Sequence, residues 1–328
     1  MPLAIEQLLL KYPELFCDKL ERAGNTAVDP IDIHVPHGKQ VYVPPRPINQ
    51  ALLSDLRIEI EGMAQAGVIE PSTAKHNTPL LVVKKPNGKL RICADLRALN
   101  RICENFTWEF PRLDLAISRM KAASVFSKID LTSGFWQLRL NRDSRDFTTF
   151  RFDGRTWRFC VVPFGWKGAP AAFQAAMDTV LQKGIHDCFL TVYMDDLLIH
   201  SRNEEEHVHH LGWTLDTLSK HGFKLNPEKF SFGVAQIEFL GHLVSAGGIT
   251  QKPDKLDVIA NMKAKNFART PRLARNSWVL PNLHPKLRYF SETNLKADVH
   301  QNELPLGCGA GSRSCSQRLH SLMSTLCR

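Results

Sequence analysis

Three acids are the residues of this chain best placed to do chemistry. Asp195 and Asp196 stand side by side in Thr191-Val192-Tyr193-Met194-Asp195-Asp196-Leu197-Leu198-Ile199, a run otherwise β-branched, aliphatic and aromatic. Such a run reads as a buried strand or a tight hairpin. A carboxylate buried without compensation is costly, or neutralises itself by a shift in pKa. Two compensations are open: a hairpin turn in contact with water, to which Asp is well suited, and a bound cation. Asp130 ends a second apolar stretch, Ser124-Val125-Phe126-Ser127-Lys128-Ile129-Asp130-Leu131. It precedes Asp195 by 65 residues of hairpin and helix pattern, which lets neighbouring strands of one antiparallel sheet bring the acids together. Grouped carboxylates repel unless a divalent ion sits among them, and Mg²⁺ takes oxygen ligands while keeping several waters. Two such ions roughly 3.5–4 Å apart activate an attacking hydroxyl and neutralise a leaving phosphate. The chemistry is then in-line phosphoryl transfer, which asks a protein chiefly for positioning and charge.

The elements around these acids read as follows. Ile5 to Leu10 is a short helix, Ile31 to Val35 alternates as a strand, and Pro44, Pro45 and Pro47 mark extended chain over a surface. Leu52, Leu56, Ile60 and Met63 lie on one helical stripe from Ile48, stopped by Gly67. Leu80–Lys85 and Lys89–Asp95 form a hairpin across Pro86-Asn87-Gly88. Residues 84–101 carry six basic residues against one acid, either a solvated face or a finger-like tip that reaches phosphates. Pro111 to Met120 is a helix; Thr132-Ser133-Gly134 turns, and Phe135 to Leu140 continues as strand. Phe147–Phe152 and Trp157–Val162 pair across Asp153-Gly154, and Ala169 to Leu181 is a helix with Pro170 in its first turn. Asn203 caps a helix to Gly222, with Val208, Leu211, Leu215 and Leu218 on its core face and Glu204-Glu205-Glu206 at its positive end. His207, His209 and His210 read as exposed residues of that helix rather than a metal site. Short strands follow to Val244, and from about Lys263 no period is sustained.

With 328 residues, 43% hydrophobic and 23% charged, the chain fits a globular protein with a core split over subdomains. No apolar run approaches a membrane span, and no secretory signal precedes the first helix; the expected location is intracellular, without a membrane. Eight cysteines at 17, 93, 103, 160, 188, 308, 315 and 327 form no C-x-x-C pair, which argues against structural zinc and for reduced thiols. The net charge of +9 is concentrated in residues 263–328, with 11 Lys+Arg against 3 Asp+Glu; residues 1–262 hold 31 against 30. Local clusters therefore speak more for partners than the total does.

Several segments occur in a telling order: Gly67-Val68-Ile69-Glu70-Pro71-Ser72, Leu90 to Asn100, Ser127 to Leu131, Pro163-Phe164-Gly165, Ala169-Pro170-Ala171-Ala172-Phe173-Gln174, Tyr193-Met194-Asp195-Asp196 and Phe239-Leu240-Gly241-His242. Together they resemble the successive motifs of a reverse transcriptase, closest to the polymerase of gypsy-type long-terminal-repeat retrotransposons, over roughly Leu15 to Ile259. The resemblance implies an α+β right-hand polymerase with fingers and an antiparallel palm sheet, its thumb truncated or divergent. Its implied parts are an N-terminal linker segment over residues 1–47, fingers and palm over 48–248, and a tail over 249–328, poorly ordered from about 263.

By the same resemblance Asp130, Asp195 and Asp196 are the catalytic acids that hold two Mg²⁺, with Mn²⁺ as an alternative ion. Asp130 and Asp195 are the expected direct bridges and Asp196 the more peripheral, since neighbouring strand residues face opposite ways. Arg91 with Lys84 or Lys85 would grip the triphosphate of a dNTP. Phe135 would reject a ribose 2′-hydroxyl, Phe164 and Gly165 would lie over the template and incoming base, and Lys229 would sit near the leaving pyrophosphate. Phe239, Leu240, Gly241 and His242 would grip the primer end. Partners implied are template–primer nucleic acid, dNTPs and the rest of a Gag-Pol-type polyprotein, with no oligomeric state implied. Met194 and Trp166-Lys167-Gly168 depart toward retroviral choices and Trp136 stands where His is frequent in the family, none of them removing a catalytic group. Glu292, Asp298 and Glu303 do not match a ribonuclease H set, and no aspartic-protease Asp-Thr/Ser-Gly signature is present. The expected activity is RNA-directed DNA synthesis. Its rivals are an inactive remnant that only binds nucleic acid and an RNA-dependent RNA polymerase, against which Phe135 speaks.

Overall fold

The computed structural model describes residues 3–17, 20–84, 90–112, 118, 120, 122–227 and 230–251. The chain divides into two units, Met1–Ile249 with Ser314–Arg328, and Thr250–Arg313; the described architecture is that of the first. The expected thumb-side tail from 252 on lies outside the described residues, as do residues 113–117 and 119 of the helix expected over Pro111–Met120.

Helix α1 (Leu3–Leu9) buries Ile5 and Leu9. The strand expected at Ile31–Val35 is reduced to one bridge, Ile31 with Leu140. Pro30 and Pro36 bracket this stretch, and proline supplies no N–H to a ladder. Asn49 then caps a 3₁₀ turn by accepting the Ala51 N–H, leading into α2 (Leu53–Gln65), whose buried Leu56, Ile60 and Met63 follow the helical period. Strand β1 (Ile69–Pro71) follows. Strands β2 (Leu80–Lys84) and β3 (Leu90–Ala94) pair antiparallel from Leu80–Ala94 to Lys84–Leu90, forming the fingers hairpin, and α3 (Arg97–Ile102) continues from it.

The palm begins with β4 (Val125–Asp130). Phe135 does not continue it as a strand: Gly134–Gln137 is a 3₁₀ turn entered through Ser133 at φ 49°, and extended chain resumes at Leu138, with Arg139 bridging Val161 and Leu140 bridging Ile31. The tighter turn lets Phe135 and Trp136 both pack on Phe164, with ring centroids 5.4 and 5.5 Å away, which the alternating sides of a strand would prevent. After α4 (Arg142–Arg145), strands β5 (Phe150–Phe152) and β6 (Arg155–Phe159) join through Asp153 and Gly154, both at positive φ as a two-residue type I′ turn requires. They complete a sheet of order β1-β6-β5.

Helices α5 (Ala169–Val180) and α6 (Gln182–His186) lead to β7 (Leu190–Tyr193) and β8 (Asp196–Ser201). Helix α7 (Glu204–Lys220) starts at Asn203, whose side chain accepts the Glu206 N–H at 2.8 Å. Strand β9 (Ser231–Val234) closes a four-stranded antiparallel palm sheet of order β7-β8-β4-β9. Beyond it, β10 (Gln236–Phe239) and β11 (His242–Ser245) form a hairpin turning at Leu240 and Gly241, both at positive φ.

Strand alternation divides the palm sheet into two faces. Ile129, Leu190, Val192, Leu197 and Ile199 belong to the main core, which also contains Phe173 and Met177 of α5 and Leu211, Leu215 and Leu218 of α7. Phe126 and Leu198 point the other way, into a small separate core with Met120, Ala123, Ile237, Phe239 and Val244. Among the described residues no helix is long and apolar enough to cross a membrane.

Candidate active site

The hairpin β7–β8 has a two-residue turn, Met194-Asp195, because Tyr193 pairs with Asp196. Met194 sits at φ 51°, which suits the right-handed twist of the flanking strands but strains a residue with a side chain. Gln174 of α5, fully buried, holds the turn. Its Oε1 accepts the Met194 N–H at 2.8 Å, and its Nε2 donates to the Val192 carbonyl at 3.2 Å and to Asp178 Oδ1 at 2.9 Å.

The antiparallel register sets Asp196 directly opposite Asp130, so the two side chains share a face of the sheet. Lys128, two residues before Asp130, shares that face as well. Its Nζ lies 2.8 Å from Asp196 Oδ1, with both side chains about a quarter exposed. Asp195 projects from the turn toward Gly134: its Oδ1 is buried, and a Cβ at Gly134 would stand 2.9 Å from that oxygen and 3.1 Å from Phe173 Cζ. Here glycine is required by space. The turn after Asp130 closes onto the Asp195 carboxylate only because residue 134 has no side chain.

This arrangement bears on a metal. All three donors are hard carboxylate oxygens, the type Mg²⁺ selects, and the bare Gly134 leaves the Asp195 carboxylate its room. Among the described residues no three His, Cys, Asp or Glu groups are disposed to cage an ion, and Asp196 is engaged by Lys128. The set therefore fits an ion held by one or two carboxylates together with phosphate oxygens and water, the usual manner of Mg²⁺ at nucleotide sites.

Phe135 follows Gly134 and so stands beside the acids. It is half-buried, with its ring 5.4 Å from Phe164 and 5.6 Å, edge to face, from Phe173. Gly165 adopts φ 96°, a value side chains rarely accept, 3.5 Å below the Ala94 carbonyl by its would-be Cβ. Asn100 of α3 fixes this loop, donating to the Gly165 carbonyl at 2.8 Å and accepting the Lys167 N–H at 2.9 Å. Asp95 anchors the start of the same helix. A paired bond from Arg97, joined by Arg46 at 2.7 Å, holds its carboxyl down to about 2.

Phe239 is buried in the small core, with Leu240 packed against it, and His242 pairs with Phe239 across the hairpin end at Gly241. That core also contains Phe126 and Leu198, so the hairpin rests on the acid-bearing face of the palm. Register sets Arg91 opposite Val83 and Lys84 opposite Leu90 on the fingers hairpin. The side chains of Lys84 and Arg91, and all of Lys85 and Lys229, lie outside the described residues.

One expectation is overturned. His207 is not an exposed residue of its helix but fully buried, and burial, with His210 nearby, pushes its imidazole down to about 4. The buried stripe of α7 is His207, Leu211, Thr214, Leu215 and Leu218, whereas Val208 is only partly buried. Spacing alone held the signal, since His207 lies four residues before Leu211. Gln174, Lys128 and Gly134 also gained no role from sequence. Gln174 was detectable as a polar residue inside the apolar Ala-Ala-Phe-Gln-Ala-Ala-Met stripe, and Lys128 by its i,i+2 relation to Asp130.

Residues 83–244 match the family described as reverse transcriptase (RNA-dependent DNA polymerase). The chain is 31% identical over 289 residues to the retrovirus-related Pol polyprotein from transposon 412 of Drosophila melanogaster, over 82% of this chain and 23% of that polyprotein. It is also 31% identical over 242 residues to the Pol polyprotein from transposon gypsy of the same organism, over 72% of this chain and 23% of the relative. The chain thus spans about a quarter of the length of these relatives. In fold it is similar to a foamy viral protease–reverse transcriptase solved in complex with an RNA/DNA hybrid, with a TM-score of 0.71 and 21% identity, over 98% of this chain and 43% of that one. Motif order, palm topology and these matches agree: this chain carries a reverse transcriptase domain of the Pol polyprotein kind and belongs to that family.

Proposed function

We propose that the chain is the fingers–palm part of an RNA-directed DNA polymerase that adds deoxynucleotides to a primer 3′-hydroxyl on an RNA or DNA template. The observation that carries this reading is the register that sets Asp196 opposite Asp130 while the two-residue turn presents Asp195 against Gly134. Asp130 and Asp195 would hold divalent metal, and Asp196 would contribute charge through its pair with Lys128. Bound Mg²⁺ would supply Lewis-acid activation of the hydroxyl and neutralise the departing pyrophosphate. Phe135 would stand beneath the incoming sugar, Phe164 and Gly165 would lie over the template and incoming base, and the β10–β11 hairpin would hold the primer end beside the acids. The basic fingers hairpin, through Lys84, Lys85 and Arg91, would clasp the triphosphate, and Lys229 would lie near the leaving pyrophosphate. The remaining partners would come from a longer Gag-Pol-type polyprotein.

The test is extension of an oligo-dT primer on poly-rA with dTTP, comparing the native chain with Asp195→Asn. Extension by the native chain and loss of at least roughly 1,000-fold in the variant is expected, the scale on which transition-state charge stabilisation fails. Salt-dependent binding of template–primer without extension by the native chain would instead make it a binding remnant. Preference for rNTP over dNTP would make it an RNA polymerase.

A further inference from the structure

Behind the acid-bearing strands runs a buried chain of hydrogen bonds that the proposed chemistry does not use. Ser127 Oγ lies 2.6 Å from His207 Nε2, Ser201 Oγ lies 2.9 Å from His207 Nδ1, and the same Oγ lies 2.9 Å from His210 Nδ1. Ser127 Oγ also accepts the Gly233 N–H at 3.0 Å. Ser127 and His207 are fully buried and Ser201 nearly so. His210 is fixed in turn by stacking on Phe189, centroids 4.1 Å apart and planes 5° from parallel.

Proton counting gives the chain one direction. The Gly233 amide can only donate, so Ser127 Oγ accepts there. Among the described residues His207 is the acceptor within reach of the Ser127 hydroxyl proton. His207 then carries its hydrogen on Nδ1 and gives it to Ser201 Oγ, and the Ser201 hydroxyl donates to His210 Nδ1. Neutral His207 in that tautomer satisfies every bond; a Leu of similar size would satisfy none.

The far end of the chain lies at a defect in the sheet. On β4, Phe126 pairs with Val234 and Lys128 with Ser231. Ser127 therefore faces two residues, Phe232 and Gly233, where an unbroken ladder would set one. This is a β-bulge with Gly233 at φ 59°, and its extra amide finds no ladder partner. Ser127 takes that amide. Two residues after Gly233, at Ala235, the chain leaves β9 for β10 of the hairpin whose turn is Leu240-Gly241. A bulge bends the strand that carries it, so its geometry sets where β10 departs.

We infer that His207 is a positioning residue for the primer end: through Ser127 it locks the β9 bulge at Gly233, and so fixes the β10–β11 hairpin relative to Asp130 three residues along β4. The inference rests on the polymerase reading for its consequence, but not for the lock itself. Two measurements keep these apart. The first is hydrogen exchange of the Gly233 amide, followed by NMR on the full chain without substrate. It should be protected in the native chain and exchange at least roughly tenfold faster in His207→Leu and Ser127→Ala, with His207→Gln, whose carbonyl can still accept from Ser127, intermediate. The second is single-nucleotide addition to a preformed template–primer. His207→Leu should lose roughly 10- to 100-fold in kcat, the scale of a sub-ångström to 1 Å misplacement, with KM for dTTP unchanged and part of the loss recovered in His207→Gln.

Unchanged Gly233 exchange in Ser127→Ala overturns the lock, and this variant, which removes one oxygen, serves if His207→Leu does not fold. A faster-exchanging amide with native kcat overturns the link to the primer end. A native chain that extends nothing counts against the polymerase reading, and the exchange measurement still decides the lock.

Discussion

The two faces of the palm sheet are built by opposite rules from the same four strands. The helix-side face is closed. Ile129, Leu197 and Ile199 join the main core, and its polar residues, Ser127 and Ser201, are bonded through His207 to α7. The other face carries Lys128, Asp130 and Asp196 beside a small core shared with the β10–β11 hairpin. On the proposed function its partial openness lets its charged groups meet water, ions and a large substrate. The closed face supplies the rigidity that the open face cannot supply for itself, since like charges held close together tend to push apart. Chemistry on one side of a two-sided sheet depends on packing on the other, and the residue that joins them is the strand residue one step out of phase, as Ser127 is to Lys128.

Perturbing the two faces should therefore give different signatures. Gly134→Ala is expected to have the largest effect short of removing an acid. The new methyl meets Asp195 Oδ1 at 2.9 Å and Phe173 Cζ at 3.1 Å, so the carboxylate or the ring must move. Primer extension should fall roughly 100-fold while the urea midpoint drops by only about 1–3 kcal/mol in equivalent stability; near-native extension would show that the turn does not press on the acid. Gln174→Leu acts from the closed side on the same turn and leaves the Met194 N–H without its 2.8 Å acceptor. We expect roughly tenfold lower kcat and a loss of about 1–3 kcal/mol, so that stability and activity fall together. A variant that loses activity with full stability would place Gln174 with the open face instead.

The smallest effect is one of pH. His207 is held at about 4 in the fold against 6.5 when free, so as pH falls the unfolded chain takes its proton first. The stability this neutral imidazole confers is complete above about 6.5 and declines as pH falls toward about 4. At pH 5 the native chain should be about 1–2 kcal/mol less stable than at pH 7 from this group, and His207→Leu should show a flatter profile in the same urea titrations. Asp95, held at about 2 from 3.8, confers stability above 3.8 that is lost only as pH falls through about 2, outside that window. Equal slopes for native and His207→Leu between pH 7 and 5 would remove His207 from the account.

Much of this was legible in the sequence because its signals are local. Asp153-Gly154 announces its hairpin, Asn203 its cap, and the Leu56, Ile60 and Met63 stripe its helix. The acids were legible for a different reason: carboxylates in an apolar run demand compensation wherever they fold. What escaped was what only tertiary packing decides. Phe135 to Leu140 alternates like a strand, yet two large rings seeking one partner, Phe164, turn its first half into a 3₁₀ segment. His207 reads as surface because histidines cluster there beside three glutamates, and its burial follows from Ser127 and Ser201 awaiting it on separate strands. The bulge at Gly233 has no local signal stronger than the glycine itself.

The central claim of the proposed function is that Asp130, with Asp195, performs the chemistry while the rest of the palm holds them in place. Its most direct test is Asp130→Asn, assayed in parallel for template–primer binding and for addition of one dTMP to a preformed complex in saturating Mg²⁺. The account predicts binding within about threefold of the native chain and nucleotide addition lowered at least roughly 1,000-fold. Nucleotide addition at the native rate by a variant that binds normally would contradict it.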